Sequence, residues 1–249
     1  MMGPRPIRCM VMSAPMTPAA PAALAEAFAQ CRDMDAALSE RLEAYSTAVR
    51  KFIPAYADAV DRLVLRLAGS GAGAGAPQPG QPMLPFVLPD ENGRLTGLDG
   101  LLRDGPVAIT FHRGHWCPWC RISGSALAKV YDDIAAAGGR VVAIMPEQQK
   151  FAGEFKASTR YPFPVLTDVD NGYALSLNLA IWVGPDLEQL LSSFGRSLPD
   201  YQGNDAWMLP IPATFVVGTD GRVSARFVDP DFRRRMSIEA LIAALKAAR

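Results

Sequence analysis

Val107-Ala108-Ile109-Thr110-Phe111-His112-Arg113-Gly114-His115-Trp116-Cys117-Pro118-Trp119-Cys120-Arg121 joins a short apolar run to the start of a helical pattern. The run from Val107 to Phe111 suits a strand buried on both faces. A cysteine at such a junction lies beside unpaired backbone N–H groups and the positive end of the helix dipole. Both favour the thiolate, which is the nucleophilic form. Arg113 and Arg121 add positive charge. Two cysteines in the Cys117-Pro118-Trp119-Cys120 spacing can close a small disulfide once the first is oxidised. The segment therefore predicts a nucleophile at Cys117 and a resolving thiol at Cys120. That reading requires both sulfurs to be reachable from solvent, within bonding reach of each other and free of metal.

A zinc site competes for the same residues, because His112, His115, Cys117 and Cys120 all fall within 112–120. Structural zinc sites usually separate two ligand pairs by a dozen or more residues, and one rigid strand–helix junction cannot easily wrap four ligands around a tetrahedron. His115, beside Trp116, is placed either to tune the thiolate or to serve as a plain loop residue. His112 reads as structural. Pro212, in Ile211-Pro212-Ala213-Thr214-Phe215, stands at the entry to another strand, which the ladder permits.

Around this centre the pattern alternates. Apolar runs at Val107–Phe111, 140–145 and 164–166 read as strands, and 214–217 and 223–228 as a hairpin across Thr219-Asp220-Gly221. A further hairpin is predicted at 86–95 on Asn92-Gly93. Helical patterns fall at 123–137, 147–157, 170–179 and 185–194, with a last helix capped by Ser237. The segment 198–208 reads as a loop over one side of the thiol pocket, and Trp182, Trp207 and Phe194 as its walls or as core. The class is α/β, with a mixed central sheet flanked by helices.

Before this unit, Leu24, Phe28, Cys31, Leu38, Leu42, Tyr45, Val49, Phe52, Tyr56, Ala59 and Leu63 recur at helical spacing. Asp35 is the skipped position and Pro54 forces a break. Two helices are predicted, 21–52 and 54–68. They form an N-terminal helical arm, packed as a hairpin on its own domain or serving a homodimer. Gly69 to Pro77 is a flexible linker by composition, giving a domain plan of 1–20 disordered, 21–68 arm, 69–82 linker and 83–249 α/β domain.

The 249 residues carry 25 basic and 25 acidic side chains, and this balance argues against nucleic acid or an anionic membrane as partner. No apolar stretch is long enough for a membrane span, and Cys9-Met10-Val11-Met12 is too short for a signal-peptide core. A reducing cytoplasm is expected. A bridge between Cys9 and Cys31 is disfavoured, because Cys31 falls in a helical pattern. No metal or organic cofactor is called for. Arg233-Arg234-Arg235 reads as a solvated turn.

From about residue 83 the chain resembles the peroxiredoxin-like branch of the alkyl hydroperoxide reductase / thiol-specific antioxidant family, in the thioredoxin superfamily. The likeness is carried by Phe111 to Cys120, by Phe163-Pro164-Val165-Leu166-Thr167-Asp168, by Leu209 to Val217 and by Val228-Asp229-Pro230-Asp231. The resemblance implies a thioredoxin-like fold and reduction of hydrogen or alkyl peroxides. It also implies that Cys117 becomes a sulfenic acid, that Cys120 condenses with it to a disulfide, and that thioredoxin or another dithiol reduces the bridge. Pro212 matches the cis-proline that faces the active site in thioredoxin-like proteins. Arg113, His115, Trp116 and Pro118 are the candidate supports of the site. Two departures stand out: Thr110 and Gly114 replace the Pro and the Thr or Ser that typically precede the peroxidatic cysteine, and Pro212 stands where an Arg is usual. These departures keep open a second reading, a thiol–disulfide oxidoreductase without peroxide specificity.

Overall fold

The computed structural model describes residues 20–248, so the reading of the first segment as disordered lies outside the described residues. A five-stranded mixed sheet forms the centre of the molecule. Strand β3 (Val107–Phe111) pairs in parallel with β4 (Arg140–Met145), and β4 with β5 (Val165–Thr167). On its other side β3 meets β8 (Ala213–Val217) antiparallel, and β8 meets β9 (Val223–Val228). Side chains alternate along a strand, so each strand feeds two cores. Ala108, Val141, Ala143, Met145 and Val216 face one layer; Val107, Ile109, Phe111, Val142, Ile144, Phe215 and Val217 face the other. The residues of β3 are fully buried, as the apolar run predicts.

The second layer is closed by the hairpin β1 (Val87–Pro89) and β2 (Leu95–Gly97), by α4 (Leu98–Leu102) and by α8 (Gly172–Ser176). The Asp90 carboxylate accepts from the Asn92 and Arg94 amides and shapes that hairpin's turn. The first layer holds α5 (Pro118–Lys129), α6 (Tyr131–Ala136), α7 (Gln149–Thr159), α9 (Pro185–Ser193) and α11 (Ile238–Ala247). Ser237 accepts from the Ala240 amide and caps α11. The segment 198–208 is not a bare loop: it contains α10 (Leu198–Gln202) and enters β7 (Met208–Pro210), which pairs with β6 (Ala180–Trp182). Three-residue strands are too short for an alternation pattern to reveal them.

The N-terminal part folds as three helices, α1 (Ala20–Asp33), α2 (Leu38–Phe52) and α3 (Pro54–Gly69). The single helix expected over 21–52 is broken at residues 34–37 because a side chain caps the break. Arg41, buried on α2, donates to the carbonyls of Cys31 and Arg32 at the end of α1, where helix carbonyls lack partners. The helices pack on α5 of their own chain: Tyr45 meets Trp119 edge-on at 5.0 Å, and the Trp119 indole N–H donates to Ser46 Oγ at 3.0 Å. Cys31 is buried in this contact, with a free thiol.

The glycine-rich segment also differs from its composition. Gly73 is buried at φ +79°, and a Cβ there would lie 2.8 Å from Val228 Cγ1. Arg226 donates to the carbonyls of Gly73, Ala76 and Pro77. Glycine permits both the positive φ and the close approach, so a composition that suggests a free tether here forms a strap against the sheet. Among the described residues no helix is long and apolar enough to cross a membrane.

Candidate active site

Strand β3 ends at Phe111 and helix α5 begins at Pro118, so the Cys117–Cys120 pair sits in the first turn of α5, with Cys117 at the N-cap. The intervening turn depends on Gly114. It adopts φ +144°, and a Cβ there would lie 2.6 Å from both the Glu147 carboxyl and Trp116 Nε1. The two sulfurs are unbridged and each influences the ionisation of the other.

Their surroundings are unequal. Cys120 Sγ accepts from the Arg113 backbone N–H at 3.3 Å and from Arg235 Nη2 at 3.5 Å, and the His112 side chain also faces it. Burial disfavours ionisation of both thiols. At Cys120 it is outweighed by the favourable influence of Cys117 and His112 and by the Arg235 charge, which hold this thiol well below the ordinary thiol range. At Cys117, burial and then the Cys120 partner push the thiol up, against the opposing charges of Arg113 and Arg235.

The expectation that the sulfurs face solvent is not met: both cysteines are 0% exposed. The cover consists of Trp116 and Trp119 from the loop and α5, and Tyr45 and Tyr56 from α2 and α3. An amphipathic arm must bury its apolar stripe, and here it does so over the dithiol. The seal sets a condition on any chemistry, because reactants reach the pair only when this cover opens locally.

The expected supports are placed as follows. Arg113 is 2% exposed, with its guanidinium 3.7 Å from the Phe232 ring centroid and 5.1 Å from that of Trp116. It faces Tyr56 and Cys117, while Nη1 and Nη2 make no well-formed hydrogen bond. Trp116 is buried beside it and Pro118 occupies the first turn of α5. His115 neither touches the sulfurs nor hangs loose. Its backbone N–H donates to Glu147 Oε2 at 2.6 Å, its Nδ1 pairs with Glu147 Oε1 at 2.8 Å, and its ring stacks on Phe151 at 4.7 Å and meets Tyr201 edge-on at 4.9 Å. The 198–208 segment thus covers the His115 side through Tyr201. The Glu147 carboxyl is fully buried, and burial raises its proton affinity against the pull of His115.

Pro212 is buried at the entry to β8, but no peptide bond among the described residues is cis, so the cis bond expected from the resemblance is corrected. The preceding Ile211 amide donates to the Leu179 carbonyl, continuing the β6–β7 ladder into a trans link. Trp182 is 46% exposed and walls nothing, whereas Phe194 packs on Tyr56.

Sequence reasoning missed three groups. Arg235 belongs to the triplet read as solvated, yet it reaches Cys120. Its neighbour Arg233 instead pairs with Asp231 and Asp61. His112, read as structural, faces Cys120, and Glu147 braces the turn. The shared arginine triplet carries no local signal of which member turns inward, because tertiary packing alone decides it.

Known proteins agree with this fold. Residues 79–226 match the family model described as AhpC/TSA family. The peroxidoxin BcpB of Mycobacterium tuberculosis superposes with a TM-score of 0.54 at 21% identity, over 70% of this chain and 99% of its own. A cysteine-to-serine mutant of the peroxiredoxin 6 of Arenicola marina does so with a TM-score of 0.54 at 14% identity, over 68% of this chain and 71% of its own. No curated protein matches. Because the family model spans more than half of the sequence and encloses the sealed dithiol, the chain belongs to the AhpC/TSA family and is an oxidoreductase of the thiol-dependent peroxidase class.

Proposed function

We propose that the protein reduces hydrogen or alkyl hydroperoxides through a two-cysteine cycle closed within one chain. Cys117 attacks the terminal peroxide oxygen, the O–O bond breaks, and water or an alcohol leaves. The resulting sulfenic acid condenses with Cys120, releasing water and forming the Cys117–Cys120 disulfide. Thioredoxin or another dithiol then reduces that bridge by exchange.

The observation that carries the reading is the Arg113 guanidinium, buried against Cys117 with Nη1 and Nη2 unpartnered. A cation in that position is suited to hold the peroxide and the charge that develops on the leaving oxygen. It offers in another place what the usual Arg, replaced here by Pro212, would supply. Burial supplies the low-dielectric site in which such a charge acts strongly.

The test is stopped-flow peroxide consumption with a dithiol reductant, paired with mass spectrometry of the oxidised chain. Expected are loss of two hydrogen atoms on the Cys117–Cys120 peptide and turnover faster than a free thiolate provides. Consumption at the free-thiolate rate overturns the reading. Gly114 and Pro212, in place of the usual hydroxyl and guanidinium, favour the second reading of a general thiol–disulfide oxidoreductase. Rapid insulin reduction without peroxide turnover would select it.

A further inference from the structure

Cys120 has more to do in this structure than wait for a sulfenic acid. Two hydrogen-bond donors converge on its sulfur, the Arg113 amide after β3 and Arg235 Nη2 from the segment between β9 and α11, and the His112 side chain at the end of β3 also favours its thiolate. Its other neighbour is Cys117, whose ionisation is linked to its own. Arg235 is fixed for this contact, since Nη1 donates to the Phe232 and Arg234 carbonyls and only Nη2 reaches the sulfur. Among the described residues no carboxylate pairs with Arg235, whereas Arg233 pairs with Asp61 and Asp231 and Arg234 with Asp229. Its charge is therefore directed to Cys120.

We propose that Cys120, held as the resting thiolate by Arg235, His112 and the Arg113 amide, is the base that takes the Cys117 proton as Cys117 attacks peroxide. The step balances. The Cys117 S–H bond breaks and its proton moves to Cys120 Sγ. A Cys117 S–O bond forms as the O–O bond breaks, and the alkoxide or hydroxide leaves with the negative charge that Cys120 held. Cys117 is oxidised and the peroxide is reduced. Cys120 emerges as the thiol, and condensation with the sulfenic acid then expels water. Cys120 is thus catalytic in both halves of the oxidation, while Arg235 is a positioning residue acting through it.

The charged and titratable groups facing Cys120 are Cys117, His112, Arg113, Arg235 and the buried Glu147. The inference deepens the proposed two-cysteine cycle and rests on it. Its test separates the two, because thiolate can be read without any peroxide. Ultraviolet thiolate absorbance of the reduced full chain is titrated from about pH 4 to about pH 10 for wild type, Cys117→Ser, Cys120→Ser, Arg235→Met and Arg235→Lys, spanning the thiol ranges proteins display.

Wild type is expected to hold a thiolate at neutral pH, and Cys120→Ser to lose it. Arg235→Met is expected to move the midpoint up by about one to two units, and Arg235→Lys to restore most of that shift. Sulfenic acid formation at Cys117, followed in single turnover, is expected to slow by about 100-fold or more in Cys120→Ser. A neutral-pH thiolate that persists in Cys120→Ser and vanishes in Cys117→Ser overturns the proposal. So does an Arg235→Met titration that matches wild type in a variant with native circular dichroism. A titration as expected, with no sulfenic acid or disulfide on peroxide treatment, also overturns the role as base; it traces the failure to the peroxide cycle while leaving the charge assignment standing.

Discussion

One methyl group at Gly114 tests how the active-site turn is held. The backbone there adopts φ +144°, and the added Cβ would meet Glu147 and Trp116 Nε1 at 2.6 Å. An L residue in that region costs about 1–3 kcal/mol. Forcing a methyl into packed surroundings costs about 1–3 kcal/mol more. Alanine's smaller unfolded-state entropy offsets only about 0.4–1 kcal/mol of this. Glu147 cannot yield freely, because His115 grips both of its oxygens. The net expectation for Gly114→Ala is a loss of about 2–4 kcal/mol. Gly153 supplies the opposite case within α7, where an added Cβ meets nothing within 4 Å. There the same substitution is expected to stabilise by about 0.5–1 kcal/mol. Urea unfolding of the reduced protein reads both, through a midpoint that falls in one variant and rises in the other at unchanged slope. Gly114→Ala within about 0.5 kcal/mol of wild type would refute the account of the turn, since that is the ordinary range of a neutral surface change.

The arm's grip on the dithiol is testable through Ser46 and Trp119. Ser46→Ala leaves the buried indole N–H without its acceptor and is expected to cost about 1–2 kcal/mol; a double-mutant cycle with Trp119→Phe should return a coupling of about 0.5–1.5 kcal/mol. Arg226→Met removes the donor that pins Gly73, Ala76 and Pro77, and limited proteolysis should then cut residues 70–78 faster, with a stability loss of about 1–2 kcal/mol. Unchanged cleavage there would mean the strap is held by Gly73 packing alone.

Much of this was legible in the chain because the signals were local. The run from Val107 to Phe111 is buried on both faces, and an unbroken apolar stretch states that directly. Ser237 capped its helix because a hydroxyl three residues before an amide can reach it. Other features escaped for reasons that are equally physical. The break at residues 34–37 depends on Arg41 reaching back to α1, and the glycine segment packs because Arg226, far along the chain, donates to it. The β6–β7 pair is too short for any period to register.

At the site, local chemistry determined that two cysteines would share the first turn of a helix after a buried strand, and that follows from backbone geometry within residues 107–121. Only the tertiary structure decided that the pair would be sealed under Tyr45, Tyr56, Trp116 and Trp119. It also decided that Arg235, rather than Arg233 or Arg234, would turn inward, and that the donors would gather on Cys120 rather than Cys117. The difference is one of range. Spacing along the chain dictates which groups share a turn, but the field at a buried sulfur is the sum over neighbours that arrive from several elements, and no single stretch of sequence contains them.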